Sequence, residues 1–145
     1  MRELAENARD RLASGARALD VVEYAVAEME TSGLYVAGRG SAPNSAGYVE
    51  LDASIMDGPD GAAGSVACIR DVVNPVSVAR RVMEATPHVM LSGEGALAFA
   101  KSQGFEIVEE PGKYYMLPIG VRKDEVDKQM HGTVCLLYTS DAADD

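Results

Sequence analysis

The pair Gly132-Thr133 sits where a polar, charged stretch gives way to a short apolar run, in Lys128-Gln129-Met130-His131-Gly132-Thr133-Val134. If the bond between them is cut, Thr133 becomes an amino terminus. A terminal threonine carries its own general base, because an α-amine titrates near pKa ~7.7–8.0 and can accept the hydroxyl proton of the same residue. The pair then supplies both an autocleavage bond and a catalytic nucleophile. Taken alone, Gly-Thr is common and reads as a small residue entering a strand.

Other residues able to do chemistry offer less. Glu50 and Asp52 are acids two residues apart, but paired carboxylates work on a substrate only when they face each other across it, so structural hydrogen bonds are expected of them. Cys68 falls in the middle of an apolar segment, where a thiol behaves as a small buried hydrophobe. His88 has no local partner at metal-ligand spacing and reads as a histidine hydrogen-bonded in or near the core. Gly38-Arg39-Gly40-Ser41 follows a strand-like run and invites a phosphate-loop reading. The third glycine of the dinucleotide fingerprint is missing, however, no Gly-Lys-Ser/Thr follows, and the next segment alternates like a strand. A tight turn between two strands is the expectation there.

The elements that must position these residues follow from periodicity. Residues 2–31 read as helix with a break at Ser14-Gly15. Leu19, Val22, Val26 and Met29 share a buried face, Asp20, Glu23, Glu28 and Glu30 lie on other faces, and Gly33 is the stop signal. Residues 34–37 are predicted as a short strand. Val49, Leu51, Ala53 and Ile55 alternate with polar residues and predict a strand that returns through the turn at 57–61 as 65–69, making a hairpin. Asn74 caps a helix with Pro75 in its first turn and a stripe of Val78, Ala79, Val82 and Met83. Residues 88–91 predict a strand, Ser92 caps a helix from 93 to about 100, and Gly104 closes it. From 109 to 131 the pattern dissolves into a flexible linker.

Composition bounds the class. The 145 residues make one domain's worth of chain, 47% hydrophobic, with two cysteines far apart and no Cys-x-x-Cys spacing. No disulfide framework is expected, and a reducing, cytoplasmic location fits. A formal net charge of −10 disfavours nucleic acid, and no apolar run approaches a membrane span, so neither nucleic acid nor membrane is an expected partner.

Taken together, the ordered blocks Ala18-Leu19-Asp20-Val21-Val22, Ala37-Gly38-Arg39-Gly40-Ser41, Glu50-Leu51-Asp52-Ala53-Ser54-Ile55-Met56-Asp57-Gly58, Asn74-Pro75-Val76-Ser77-Val78-Ala79-Arg80, Thr86-Pro87-His88-Val89-Met90-Leu91, Gly93-Glu94-Gly95-Ala96 and Gly132-Thr133-Val134 span most of residues 11–134. In that order they resemble the α-subunit portion of the plant-type asparaginase and isoaspartyl peptidase family of N-terminal-nucleophile hydrolases. The resemblance implies an α/β fold, part of an αββα sandwich with helices packed on a mainly antiparallel sheet. On that reading residues 1–108 form the α-subunit core, 109–131 the linker and 132–134 the start of the β-subunit strand. It also implies self-cleavage between Gly132 and Thr133, after which Thr133 attacks L-asparagine or β-aspartyl dipeptides without an organic cofactor. A structural sodium ion is implied on the main-chain carbonyls of Met29, Glu30, Ser32, Tyr35, Ala37 and Arg39. The family pairs each α with its own β subunit and two αβ units in an (αβ)2 dimer.

The chain departs from the family at several positions. Val36 replaces the usual Asn before Ala-Gly, Cys135 replaces the usual Gly, and residues 135–145 form a tail with no family counterpart. The opening strand with its His-Gly-Gly turn and the β subunit, which carries the substrate anchors and oxyanion donors, are missing. An inactive fragment of an active parent is therefore expected, since each lost oxyanion donor costs on the order of 10²–10³ in rate. Glycosylasparaginase, which shares the scaffold and toward which His131 leans, is one alternative. A non-enzymatic α/β binding domain with an incidental Gly-Thr pair is the other.

Overall fold

The computed structural model describes residues 2–117 and 120. Helix α1 (Arg2–Ala13) and helix α2 (Ala18–Ser32) are separated at Gly15, whose φ of +89° is open to a residue without Cβ. Helix α1 buries none of its side chains and is joined to α2 partly by the Arg11 guanidinium, 3.9 Å from the centre of the Tyr24 ring. Gly33 ends α2 in the left-handed conformation, as its sequence position implies.

Residues 34–37, expected as a strand, form none. The chain bends there and enters a single 3₁₀ turn, Gly38–Gly40. Strand propensity is outweighed by the need to double back over the end of α2. A Cβ at position 38 would stand 2.5 Å from the Glu30 carbonyl oxygen, so only glycine allows the approach.

The hairpin is as expected, with β1 (Leu51–Met56) antiparallel to β2 (Ala63–Ile69). Its register slips between Leu51↔Ile69 and Ala53↔Val66, which leaves Ala67 and Cys68 opposite Asp52 alone and makes a bulge. Helix α3 (Pro75–Ala85) then crosses over to β3 (Met90–Ser92), which pairs with β2 in parallel, and α4 (Gly93–Ser102) follows. The result is a mixed three-stranded sheet in the order β1-β2-β3. Within the stretch expected as a linker, Pro111–Tyr114 forms a helical turn, α5, and Tyr115 packs against the core.

Helices α3 and α4 cover one face of the sheet. Val66 and Ile69 of β2 meet Val76, Val78, Ala79 and Val82 of α3 and Ala96 and Ala100 of α4 in one buried cluster. Gly64 makes the contact close, for a Cβ there would stand 2.1 Å from the Ala79 carbonyl oxygen. Helix α2 lies outside α3 and is fastened to it by Arg80, whose guanidinium reaches Asp20 and Glu23 of α2 at 2.7 and 2.6 Å and Glu84 of its own helix at 2.7 Å. The other sheet face, with Ser54, Met56 and Cys68 exposed, is uncovered among the described residues.

Candidate functional site

Gly132 and Thr133, the expected scissile bond and nucleophile, lie outside the described residues, as does His131. What the described residues contain is the segment from the end of α2 to Arg39, on whose carbonyls the family resemblance implies an ion.

That segment is built around a buried acid. The helical pattern sets Glu30 on a face other than the buried one, yet it is only 3% exposed. Helical geometry explains the correction. Three turns of helix span about 10.8 residues, so position 30 returns to the face of Leu19, along with Val26 and Ala27. Its carboxylate is met by donors from α3. Val76 N–H donates to Oε1 at 3.1 Å and Asn74 Nδ2 donates to Oε2 at 3.3 Å. Asn74 Nδ2 also reaches the Ala27 carbonyl at 3.0 Å and Thr31 Oγ1 at 3.1 Å. The expected side-chain cap of Asn74 on its own helix is absent. Instead the two helices are tied to each other, with the Glu30 carboxyl serving the N-terminus of α3 and the Asn74 amide reaching the Ala27 carbonyl and the Thr31 hydroxyl of α2. Burial pushes the Glu30 carboxyl up to about 8, against the opposing pull of the Asn74 and Val76 hydrogen bonds. The sequence signal for this arrangement was an acid on the apolar period of α2 and an Asn-Pro pair, and neither says by itself that they meet.

The carbonyls of Met29, Glu30, Ser32, Tyr35, Ala37 and Arg39 lie on one segment that doubles back at the end of α2. Gly33 reverses the chain and Gly38 lies directly over Glu30, so the two ends of the set are brought together. The Met29 carbonyl accepts from Ser32 Oγ at 2.9 Å and the Arg39 carbonyl from Met116 N–H at 2.9 Å; each oxygen keeps a second lone pair. Neutral main-chain oxygens on a doubled-back loop suit a hard monovalent cation. No cluster of His, Cys, Asp or Glu able to hold a metal occurs among the described residues. Residues 114–116 dock on the same loop, with Arg39 5.6 Å from the Tyr114 ring centre.

The remaining expectations resolve one by one. Glu50 and Asp52 make the structural bonds expected of them: Asn44 Nδ2 donates to Glu50 Oε2 at 2.7 Å and Cys68 N–H donates to Asp52 Oδ1 at 2.7 Å. Cys68 itself is exposed, contrary to its expected burial, because the bulge puts it at φ +52° and turns it out of the alternation. Its thiol pKa is raised, by what desolvation there is and then by the carboxylates of Asp52 and Glu50, which makes it a poor nucleophile. His88 is exposed as well; its main chain, not its ring, is held, between the N–H and the Thr86 hydroxyl at 3.0 Å. A cavity of about 300 Å³ opens between Tyr48, Arg70, Asp71, Pro111, Tyr115 and Met116. No helix among the described residues is long and apolar enough to cross a membrane.

Comparison with known proteins adds to this geometry. A family model described as Asparaginase matches residues 1–134. The chain is 49% identical over 98 residues to a probable isoaspartyl peptidase/L-asparaginase 2 of Arabidopsis thaliana, covering 68% of this chain and 30% of that protein. It is 41% identical over 121 residues to an isoaspartyl peptidase/L-asparaginase of Homo sapiens, covering 83% and 39%. It is 54% identical over 89 residues to a plant-type L-asparaginase of Thermococcus kodakarensis, covering 61% and 29%. The matched part thus spans well under half the length of each of these relatives. By the extent of the family match and the identity to these proteins, the chain belongs to the asparaginase family.

Proposed function

We propose that this chain is the α-subunit portion of a threonine amidohydrolase that releases its own nucleophile and acts on L-asparagine and β-aspartyl dipeptides. The observation that carries the reading is that the family match runs through the Gly132-Thr133 bond to residue 134, in a chain whose relatives are named isoaspartyl peptidase/L-asparaginase.

In the first reaction the Thr133 hydroxyl attacks the Gly132 carbonyl, the peptide nitrogen departs as the Thr133 amine, and the resulting ester is hydrolysed to leave a Gly132 carboxylate. In the second, Thr133 Oγ attacks the side-chain carbonyl of the substrate while the free α-amine takes the hydroxyl proton. The leaving amine, ammonia from asparagine or an amino-acid amine from a β-aspartyl dipeptide, collects that proton. Water then releases aspartate. The substrate anchors and oxyanion donors belong to the β subunit, so the chain without it is inactive. Pairing with that subunit in an αββα sandwich, a dimer of αβ units and a cytoplasmic setting complete the proposal. A sodium ion on the carbonyls at 29–39 would supply rigidity to the loop rather than chemistry.

Mass spectrometry of the full-length protein tests this reading. We expect a break before Thr133 that Thr133→Ala abolishes, and release of aspartate from β-aspartyl dipeptides in preference to glycosyl-asparagine. An uncut chain that still hydrolyses these substrates at full rate overturns it.

A further inference from the structure

We propose that Glu30 and Asn74 are positioning residues for the 33–40 loop: their hydrogen bonds between α2 and α3 fix the backbone on which a monovalent cation would rest. The ion part of this inference rests on the function proposed above; the positioning part rests on the geometry alone. The loop has few fastenings of its own. Its N-terminal end issues from the last turn of α2, where Asn74 Nδ2 holds Ala27 and Thr31 and where Glu30 is held from the other side by Val76 N–H. Its far end is the Gly38–Gly40 turn, which closes with Gly40 N–H to the Ala37 carbonyl at 3.1 Å and Ser41 N–H to the Gly38 carbonyl at 3.1 Å. The contact between the two ends is the seat of Gly38 on Glu30, where a Cβ would stand 2.5 Å from the Glu30 carbonyl oxygen and 2.6 Å from its Cβ.

That seat depends on where the Glu30 backbone lies. The backbone is fixed because the side chain is anchored to α3, an element packed on the sheet with Val78, Ala79 and Val82 fully buried. The carbonyls of Met29 and Glu30 are therefore tied to the rigid core by these two polar side chains at the end of α2, beyond the hold of Leu19, Val26 and Ala27 on the apolar face of that helix. Without Asn74, the buried carboxyl keeps only the Val76 donor, and a buried polar group left short of a partner is relieved by movement of the segment that carries it.

The experiment uses the full-length protein, wild type and with Asn74→Ala or Glu30→Gln, beside Val78→Ala as a core substitution that leaves the pair intact. Glu30→Gln keeps an acceptor for Val76 N–H but sets an amide against the Asn74 amide, and it is the gentler variant should Asn74→Ala fold poorly. Hydrogen exchange of the segment 33–41 should speed up about tenfold in Asn74→Ala and Glu30→Gln, the factor expected from losing one buried hydrogen bond, and should change no more than the rest of the chain in Val78→Ala. The sodium concentration that gives half the thermal stabilisation should rise by a similar factor in both pair variants and stay unchanged in Val78→Ala. If exchange in 33–41 is unaltered in both pair variants, the positioning role is wrong. If exchange responds but the sodium midpoint does not move, the pair orders the loop without serving an ion. If wild type shows no response to sodium, the ion reading fails while the exchange result still decides the positioning role.

Discussion

Glu30 is the residue whose environment governs its behaviour most. Its folded pKa of about 8 stands above the ordinary value of 4.5, so the folded chain holds a proton on it that the unfolded chain has released between those limits. The sign follows directly. The contribution of Glu30 to stability is fully present below about pH 4.5 and is lost as pH rises through about 8. Measured against Glu30→Gln in sodium-free buffer, the stability of wild type should fall over that interval and level off above it. A flat difference from pH 5 to 9 would mean that Asn74 and Val76 hold the carboxylate ionised throughout. At this scale the sequence was only partly legible. It placed Asn74 at the start of a helix and both Glu50 and Asp52 in structural bonds, which local spacing can decide. It misplaced Glu30, Cys68 and His88, because each depends on something spacing does not carry: a donor pair from another helix, a bulge in the partner strand, or a strand that begins two residues later than its apolar run.

Among the elements, α3 joins the two layers, since it touches β1, β2 and β3 on one side and α2 on the other. Its contact with β2 tolerates nothing larger than hydrogen at position 64, where the obstacle is the Ala79 main chain rather than a movable side chain. Gly64→Ala should therefore cost about 3 kcal/mol, the upper part of the usual range for overpacking, read as a drop in the denaturation midpoint with an unchanged slope. The Arg80 side chain, 16% exposed, spans three carboxylates across the α2–α3 contact. Its replacement by alanine should cost about 1–2 kcal/mol, a loss that shrinks at high salt because two of the carboxylates are well exposed. Element positions were the most legible level. Alternation at 49–55, Asn74-Pro75, and glycines at 15, 33 and 104 are local signals with local causes. The apolar run at 34–37 misled because a close approach to α2 outweighed its propensity for strand.

For the molecule as a whole, the asymmetry of the sheet matters most. Helices α3 and α4 clothe one face, whereas Met56 and Met90, on the two edge strands, and the adjoining Val89 are exposed at 64%, 59% and 63%. Produced as this chain alone, the protein should self-associate through this surface. Light scattering on eluted material should show species larger than one chain, and Met56→Lys with Met90→Lys should shift them toward monomer; a monodisperse wild-type monomer would count against this. Such a surface was not legible in sequence, because alternation tells which residues point away from one layer and not whether a second layer covers them. The parallel pairing of β3 with β2 has a kinetic consequence. Whereas β1 and β2 close through a short turn, β3 can join only after the whole of α3 has crossed over and docked, so it should be the last strand acquired and the first lost. Within the sheet, a protease offered the native chain should cut around residues 86–92 long before it cuts the hairpin.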